Sequence, residues 1–248
     1  MATNIQLAST EGQYFYDPKL YRSVLGKLQY LCYTRPEISF AVNKLCRFLQ
    51  NPRDPHWVGV KRILRYLAGT INYGLLIRPL PRLHVQAFAD SDWATNKEDR
   101  RSISGYCTFL GTNPVIWVSK CQSVVSRSAI EAEYRSLADA SSDVVWVMKL
   151  LQEMHVPITE TPIVWCDNSG AIALASNPVL HSKTKHVEID IHFLREKVAT
   201  GHLQIGYVPS SEQVADVLTK PLGKSMFLPF RDRLNVFSHQ QSSQKQIT

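Results

Sequence analysis

Four acidic side chains, Asp90, Glu133, Asp167 and Asp216, stand where chemistry could use them. Asp90 ends the apolar run Val85-Gln86-Ala87-Phe88-Ala89, and Asp167 ends another, Ile163-Val164-Trp165-Cys166. Both runs read as strands, and in open α/β sheets ligands bind beyond the carboxyl ends of strands. Two carboxylates delivered there can share a divalent cation. Magnesium takes oxygen ligands and is held by one or two carboxylates together with substrate phosphate. Taken singly, each Asp is read more simply as the start of a turn or a helix cap. Asp167, directly ahead of Asn168-Ser169-Gly170, is a strong candidate for a cap.

Glu131 and Glu133 have to be told apart. Ser128-Ala129-Ile130-Glu131 has the spacing of a capping box, which gives Glu131 a structural task at a helix start. The apolar positions Ile130, Leu137, Ala140, Val144, Met148 and Leu151 leave a slot at 133 or 134. Glu133 therefore lies at the edge of the inward face, where a carboxylate is costly unless paired or metal-bound. The alternative is that Tyr134 fills the slot and Glu133 stays wet. Asp216 argues least for itself. Ser210 and Gln213 form a second capping box, and on a helix over 212–219 the apolar stripe is Val214, Val217 and Leu218. Asp216 then faces solvent, with Lys220 at i+4 as a partner.

The elements that must position these acids follow from periodicity. Residues 1–17 are polar and irregular. Helical stripes follow: Tyr21, Val24, Leu25, Leu28, Leu31 and Cys32; then, past Pro36, Ile38, Val42, Leu45 and Leu49; then 56–67, stopped at Gly69. Residues 73–77 read as a strand, and Pro79 and Pro81 mark the best domain boundary. Beyond it, 84–89, 104–110, 114–118, 162–166 and 202–208 read as strands. Helices are expected at 129–154, 168–175, 187–199 and 212–219. This order predicts an α/β sheet with helices on both faces, preceded by a small, mostly helical segment. The tail over 238–248, rich in Gln and Ser, reads as disordered.

Composition bounds the partners. Among 248 residues, 28 Lys and Arg against 21 Asp and Glu give a formal charge of +7, which attracts polyanions. Nucleic acid is the commonest such partner, and a merely basic surface is the alternative. Five cysteines, an odd number with no C-x-x-C pair, fit reduced intracellular thiols better than a disulfide framework or a zinc site. No apolar run approaches the ~20 residues of a membrane span, and the opening Met-Ala-Thr-Asn-Ile-Gln lacks the pattern of a secretory signal. The expectation is a protein of the cell interior, compartment unspecified, with no membrane partner.

Five segments occur in a recognisable order: Ala-Phe-Ala-Asp-Ser-Asp-Trp-Ala (87–94), Ser-Arg-Ser-Ala-Ile-Glu-Ala-Glu-Tyr-Arg-Ser-Leu (126–137), Trp-Cys-Asp-Asn-Ser-Gly-Ala (165–171), Lys-Thr-Lys-His-Val-Glu-Ile-Asp (183–190) and Gln-Val-Ala-Asp-Val-Leu-Thr-Lys-Pro-Leu (213–222). Together they resemble the ribonuclease H domain of Ty1/copia-type retrotransposon Pol polyproteins. Residues 21–42 and 61–70 resemble the preceding C-terminal end of the reverse transcriptase. The resemblance implies a ribonuclease H-like mixed five-stranded sheet over 82–237, behind a thumb or connection remnant over 1–81. It implies a nuclease that hydrolyses the RNA strand of RNA–DNA hybrids, with Asp90, Glu133, Asp167 and Asp216 binding two magnesium ions, for which manganese can substitute. Asp90 matches the first acid better than Asp92. The resemblance also overrides the solvent-facing reading of Asp216. Phosphate contacts are expected from Lys120, Arg127 and Lys183, and from Lys61, Arg62 and Arg65 on the third helix.

The chain departs from the family in places. Tyr207-Val208 stands where a His-Val is usual, with His186 the nearest substitute, and Thr95 replaces a usual Gly. No Tyr-x-Asp-Asp polymerase motif occurs, so DNA synthesis would need the rest of a reverse transcriptase as partner. The competing expectation is a catalytically inactive, nucleic-acid-binding remnant of a decayed element.

Overall fold

In the computed structural model, residues 7–80, 82–96, 98–176 and 188–239 are described. Two compact units form, Met1–Ile77 with Lys220–Thr248, and Arg78–Thr219.

The first unit is built on helices α1 (Pro18–Leu31), α2 (Ser39–Cys46) and α3 (Asp54–Ala68). Asp17 caps α1, accepting from the Leu20 N–H at 2.9 Å, with Pro18 preset for the first turn. The helical stripes meet in one core of Tyr21, Leu25, Leu28, Ile38, Val42, Leu45, Val60 and Ile63, joined by Phe15. Strand β1 (Tyr73–Leu75) pairs antiparallel with β7 (Val236–Ser238), which follows α8 (Lys224–Arg233). The sequence reading carried the second domain through 237 and foresaw neither α8 nor β7. The structure gathers the segment from Lys220 into the first unit, because Phe227, Phe230, Leu234 and Val236 bury there and β7 supplies the ladder of β1. Ser238 thus ends a strand, and residues 240–248 of the expected tail lie outside the described residues.

The second unit contains β2 (Val85–Asp92), β3 (Ile103–Leu110), β4 (Asn113–Cys121), α4 (Ala129–Glu153), β5 (Ile163–Cys166), α5 (Ser169–Ser176), α6 (Glu188–Ala199), β6 (Gln204–Tyr207) and α7 (Asp216–Thr219). Its sheet has the order β4-β3-β2-β5-β6. The β4-β3-β2 meander is antiparallel, while β2–β5 and β5–β6 are parallel, giving the mixed five-stranded sheet that was expected. Successive side chains of a strand point to opposite faces. On β3, the Tyr106 hydroxyl donates to Asp143 of α4 at 2.8 Å, whereas a Cβ on neighbouring Gly105 would point at Leu218 and Thr219 of α7. Helices α4 and α7 therefore cover opposite faces of the sheet. Val85, Ala87, Ala89 and Val164 form the core with Leu137, Ala140 and Val144 of α4 and Leu194 of α6.

One expected helix, over 212–219, is shortened to its last turn. Residues 210–212 form a 3₁₀ turn, and the α-helix is confined to Asp216–Thr219. The anticipated Ser210–Gln213 capping box does not form, because both side chains serve distant groups: Ser210 bonds Asp167 and Gln213 bonds the Ala89 carbonyl.

Candidate metal centre

The ends of β2 and β5 bring two of the acids together. Their parallel register pairs Phe88 with Trp165, and continuing it two residues sets Asp90 level with Asp167. Asp216 enters from α7. Oxygen atoms of Asp90, Asp167 and Asp216 all lie within 4.8 Å of one another, and those of Glu133 and Asp167 form a second such group with the Cys166 sulfur. Asp167 is common to both groups. Asp90 and Asp216 are buried, at 1% and 6% exposure, and Asp167 is half-buried.

Asp90, Asp167 and Glu133 are held by identifiable partners. The Thr219 hydroxyl donates to Asp90 Oδ2, and the Ser136 hydroxyl lies 2.8 Å from the Asp90 carbonyl and 3.2 Å from that of Gly105. Ser210 donates to Asp167 Oδ2 at 2.7 Å. The Ser91 N–H donates to Glu133 Oε1 at 3.1 Å, tying α4 to the residue beside Asp90. Gln213, fully buried, donates to the Ala89 carbonyl at 2.9 Å and accepts from the Ala215 N–H at 3.2 Å. The local field is negative: burial first, then the carboxylates of Glu133, Asp167 and Asp90, push the Cys166 thiol far above its usual range.

Glu131 and Glu133 are equally buried, at 7%, but their neighbours differ. Glu131 receives the Arg127 N–H at 2.8 Å and pairs with Arg135 at 3.1 Å, while its own N–H is capped by Ser128 at 3.2 Å. Tyr134 is fully buried too, so the slot on α4 is shared and Glu133 is not wet.

The residues expected to bind nucleic acid are less convergent. Arg127 is exposed near the start of α4, and Lys120 pairs with Asp139 at 2.9 Å. Lys61 and Arg65 are exposed on α3 in the first unit, and Arg62 is half-buried. Lys183 and His186 lie outside the described residues. Tyr207 is exposed at the end of β6, paired with Cys166 in the ladder beside Asp167. Ser136, Thr219 and Gly105 escaped the sequence reading, and Ser210 and Gln213 entered it only as a capping box, since the contacts they make span 31 to 129 residues and leave no local spacing signal.

Comparison with known proteins places the chain. No family model matches it. It is 45% identical over 236 residues to the retrovirus-related Pol polyprotein from transposon RE1 of Arabidopsis thaliana, and 43% identical over 236 residues to that from transposon RE2 of the same plant. Each alignment covers 95% of this chain and 16% of the relative, so the chain spans about a sixth of the length of the curated relatives it matches. Among solved structures, LC11-RNase H1, isolated from compost, superposes with a TM-score of 0.41 at 16% identity, over 55% of this chain and 92% of that one. At that score the likeness of shape is loose. The order of the five segments and the identity to these two relatives lead to one assignment: the chain is homologous to a stretch of the retrovirus-related Pol polyproteins of copia-type transposons.

Proposed function

We propose that the chain hydrolyses the RNA strand of RNA–DNA hybrids, with Asp90, Glu133, Asp167 and Asp216 holding two magnesium or manganese ions. The observation that carries this reading is the convergence of Asp90, Asp167 and Asp216 from three separate elements to within 4.8 Å. Like charges this close repel, and two of the three are buried; a cation relieves both costs. Carboxylate oxygens are the donors that magnesium takes. Bound there, the metal supplies Lewis acidity toward a phosphoryl oxygen and activates water near neutral pH.

The chain's own residues bind and orient. Asp90 and Asp216 form a buried floor, and half-buried Asp167 opens it to solvent. Lys120, Arg127 and Lys183 contact phosphates, as do Lys61, Arg62 and Arg65 of residues 1–81, the end of a reverse transcriptase in this reading. RNA is told from DNA by its 2′-hydroxyl across the shallow minor groove of the hybrid. The rest of a reverse transcriptase is the natural partner of such a segment.

The test is cleavage of a labelled RNA–DNA hybrid by the purified chain in magnesium, with and without chelator, beside the Asp90→Asn variant. Cleavage of the RNA strand alone, abolished by chelator and by the substitution, is the expected result. Hybrid binding without any cleavage would overturn the reading and leave a binding module.

A further inference from the structure

Two hydroxyls and one absent side chain hold the acids in place. We infer that Thr219, Ser210 and Gly105 are positioning residues that set the affinity of this site for its cation, an inference that rests on the acids being cation ligands. A carboxylate alone turns about its last side-chain bond. A hydroxyl donating to one oxygen fixes that rotation. Asp90 has this from Thr219 and Asp167 has it from Ser210, in each case on Oδ2. Both hydroxyls come from the short segment that also carries Asp216. That segment is pinned between them by the buried Gln213, which grips the carbonyl of Ala89 next to Asp90. Three of the four acids thus take their placement from one strap, residues 210–219.

Gly105 admits the strap. It is the cross-strand partner of Asp90 in the β2–β3 ladder. A Cβ on Gly105 would sit 2.5 Å from Thr219 Cγ2, 2.9 Å from Leu218 Cβ and 3.1 Å from the Leu218 carbonyl carbon. The last of these is backbone and cannot swing aside, so a side chain at 105 lifts α7 off the sheet and takes Thr219 and Asp216 with it. Here glycine supplies space rather than unusual backbone angles.

The alternative, that Thr219 merely fills volume, is separable. Thr219→Val keeps the shape and loses the hydroxyl; Thr219→Ser keeps the hydroxyl and loses a methyl. Manganese is titrated into the full chain and followed by calorimetry, with thermal unfolding run in parallel. Partners that orient metal-binding carboxylates are typically worth about 10–100-fold in affinity. Thr219→Val and Ser210→Ala are expected to weaken manganese binding by roughly tenfold or more. Thr219→Ser should stay near the original, and Gly105→Ala should lose at least as much as Thr219→Val. Equal affinity in Thr219→Val and the original chain would overturn the inference, as would equal weakening by Val and Ser. Absence of saturable manganese binding by the original chain would sink the cation reading itself and this inference with it.

Discussion

Glu131 and Glu133 sit two residues apart on α4, at the same exposure, and burial cannot choose between them. Their partners can. Glu131 is occupied by Arg127, Arg135 and the helix start, whereas Glu133 receives the N–H of Ser91, beside Asp90. Glu133→Gln is therefore expected to remove magnesium-dependent cleavage, a loss of at least about a hundredfold if the carboxylate binds metal, with folding nearly intact. Glu131→Gln should keep most activity, since the Gln amide oxygen can also accept the Arg127 N–H, and cost roughly 1 kcal/mol through the weakened bond to Arg135. Rates and melting temperatures of the two variants decide the matter; equal loss of activity would erase the distinction. The slot on α4 was legible from periodicity alone, but that Tyr134 and Glu133 are both buried was not, because a wide helix face can turn two neighbouring residues inward.

At the scale of elements, long periodic stretches were readable and short ones were not. The 25 residues of α4 carry a long helical stripe. The strap before Thr219 has its apolar residues at helical spacing, yet only Asp216–Thr219 is helical. Val214, Ala215 and Val217 bury through the tertiary path of the strap, and Asp216 buries with them against expectation from a helical wheel. Helix α3 raises the converse question: it was expected over 56–67 and forms over Asp54–Ala68, with Val60 and Ile63 buried and Leu64 exposed, and its polar face invites a task of its own. Lys61 and Arg65 are exposed one turn apart, and the Arg65 Nε–H reaches the Lys61 carbonyl at 3.3 Å. If this face lies on a phosphate backbone, each cation releases counterions. Lys61→Ala with Arg65→Ala should then weaken hybrid binding for every sequence. It should also flatten the slope of log affinity against log salt by roughly two, with cleavage at saturating substrate unchanged. Titrations at several salt concentrations measure this, and an unaltered slope would return α3 to a plain solvated face.

At the scale of the whole molecule, the chain returns to its beginning. A change of texture set the expected boundary at Pro79 and Pro81, whereas the chain crosses between its two compact units at Ile77–Arg78 and again at Thr219–Lys220, a second crossing that was not foreseen. Nothing in a single sequence announces that Val236 pairs with Leu75, and Pro229, inside α8, argues against the helix that forms there. The energetics of that return are large for a small unit. Phe230, Leu234 and Val236 are almost fully buried, each worth about 1.5–3 kcal/mol. The Leu76 N–H bonds Asn235 at 2.8 Å, the His239 N–H bonds Asn72 at 3.0 Å, and Phe227 meets Tyr66 edge-on at 5.7 Å. Together these rival the whole stability of an ordinary domain, roughly 5–15 kcal/mol. Ending the chain after Thr219 should therefore unfold the first unit. The second unit should survive, because its sheet, α4 and the strap are all retained. Hydrogen exchange reads the two separately: amides of α1, α2 and α3 should lose protection in the shortened chain, while those of β2, β3 and α4 should keep theirs. Full protection of α1–α3 after the cut would mean that the N-terminal helices stand alone and that α8 and β7 only decorate them. Loss of protection in β2 and β3 would mean that the second unit does not end at Thr219.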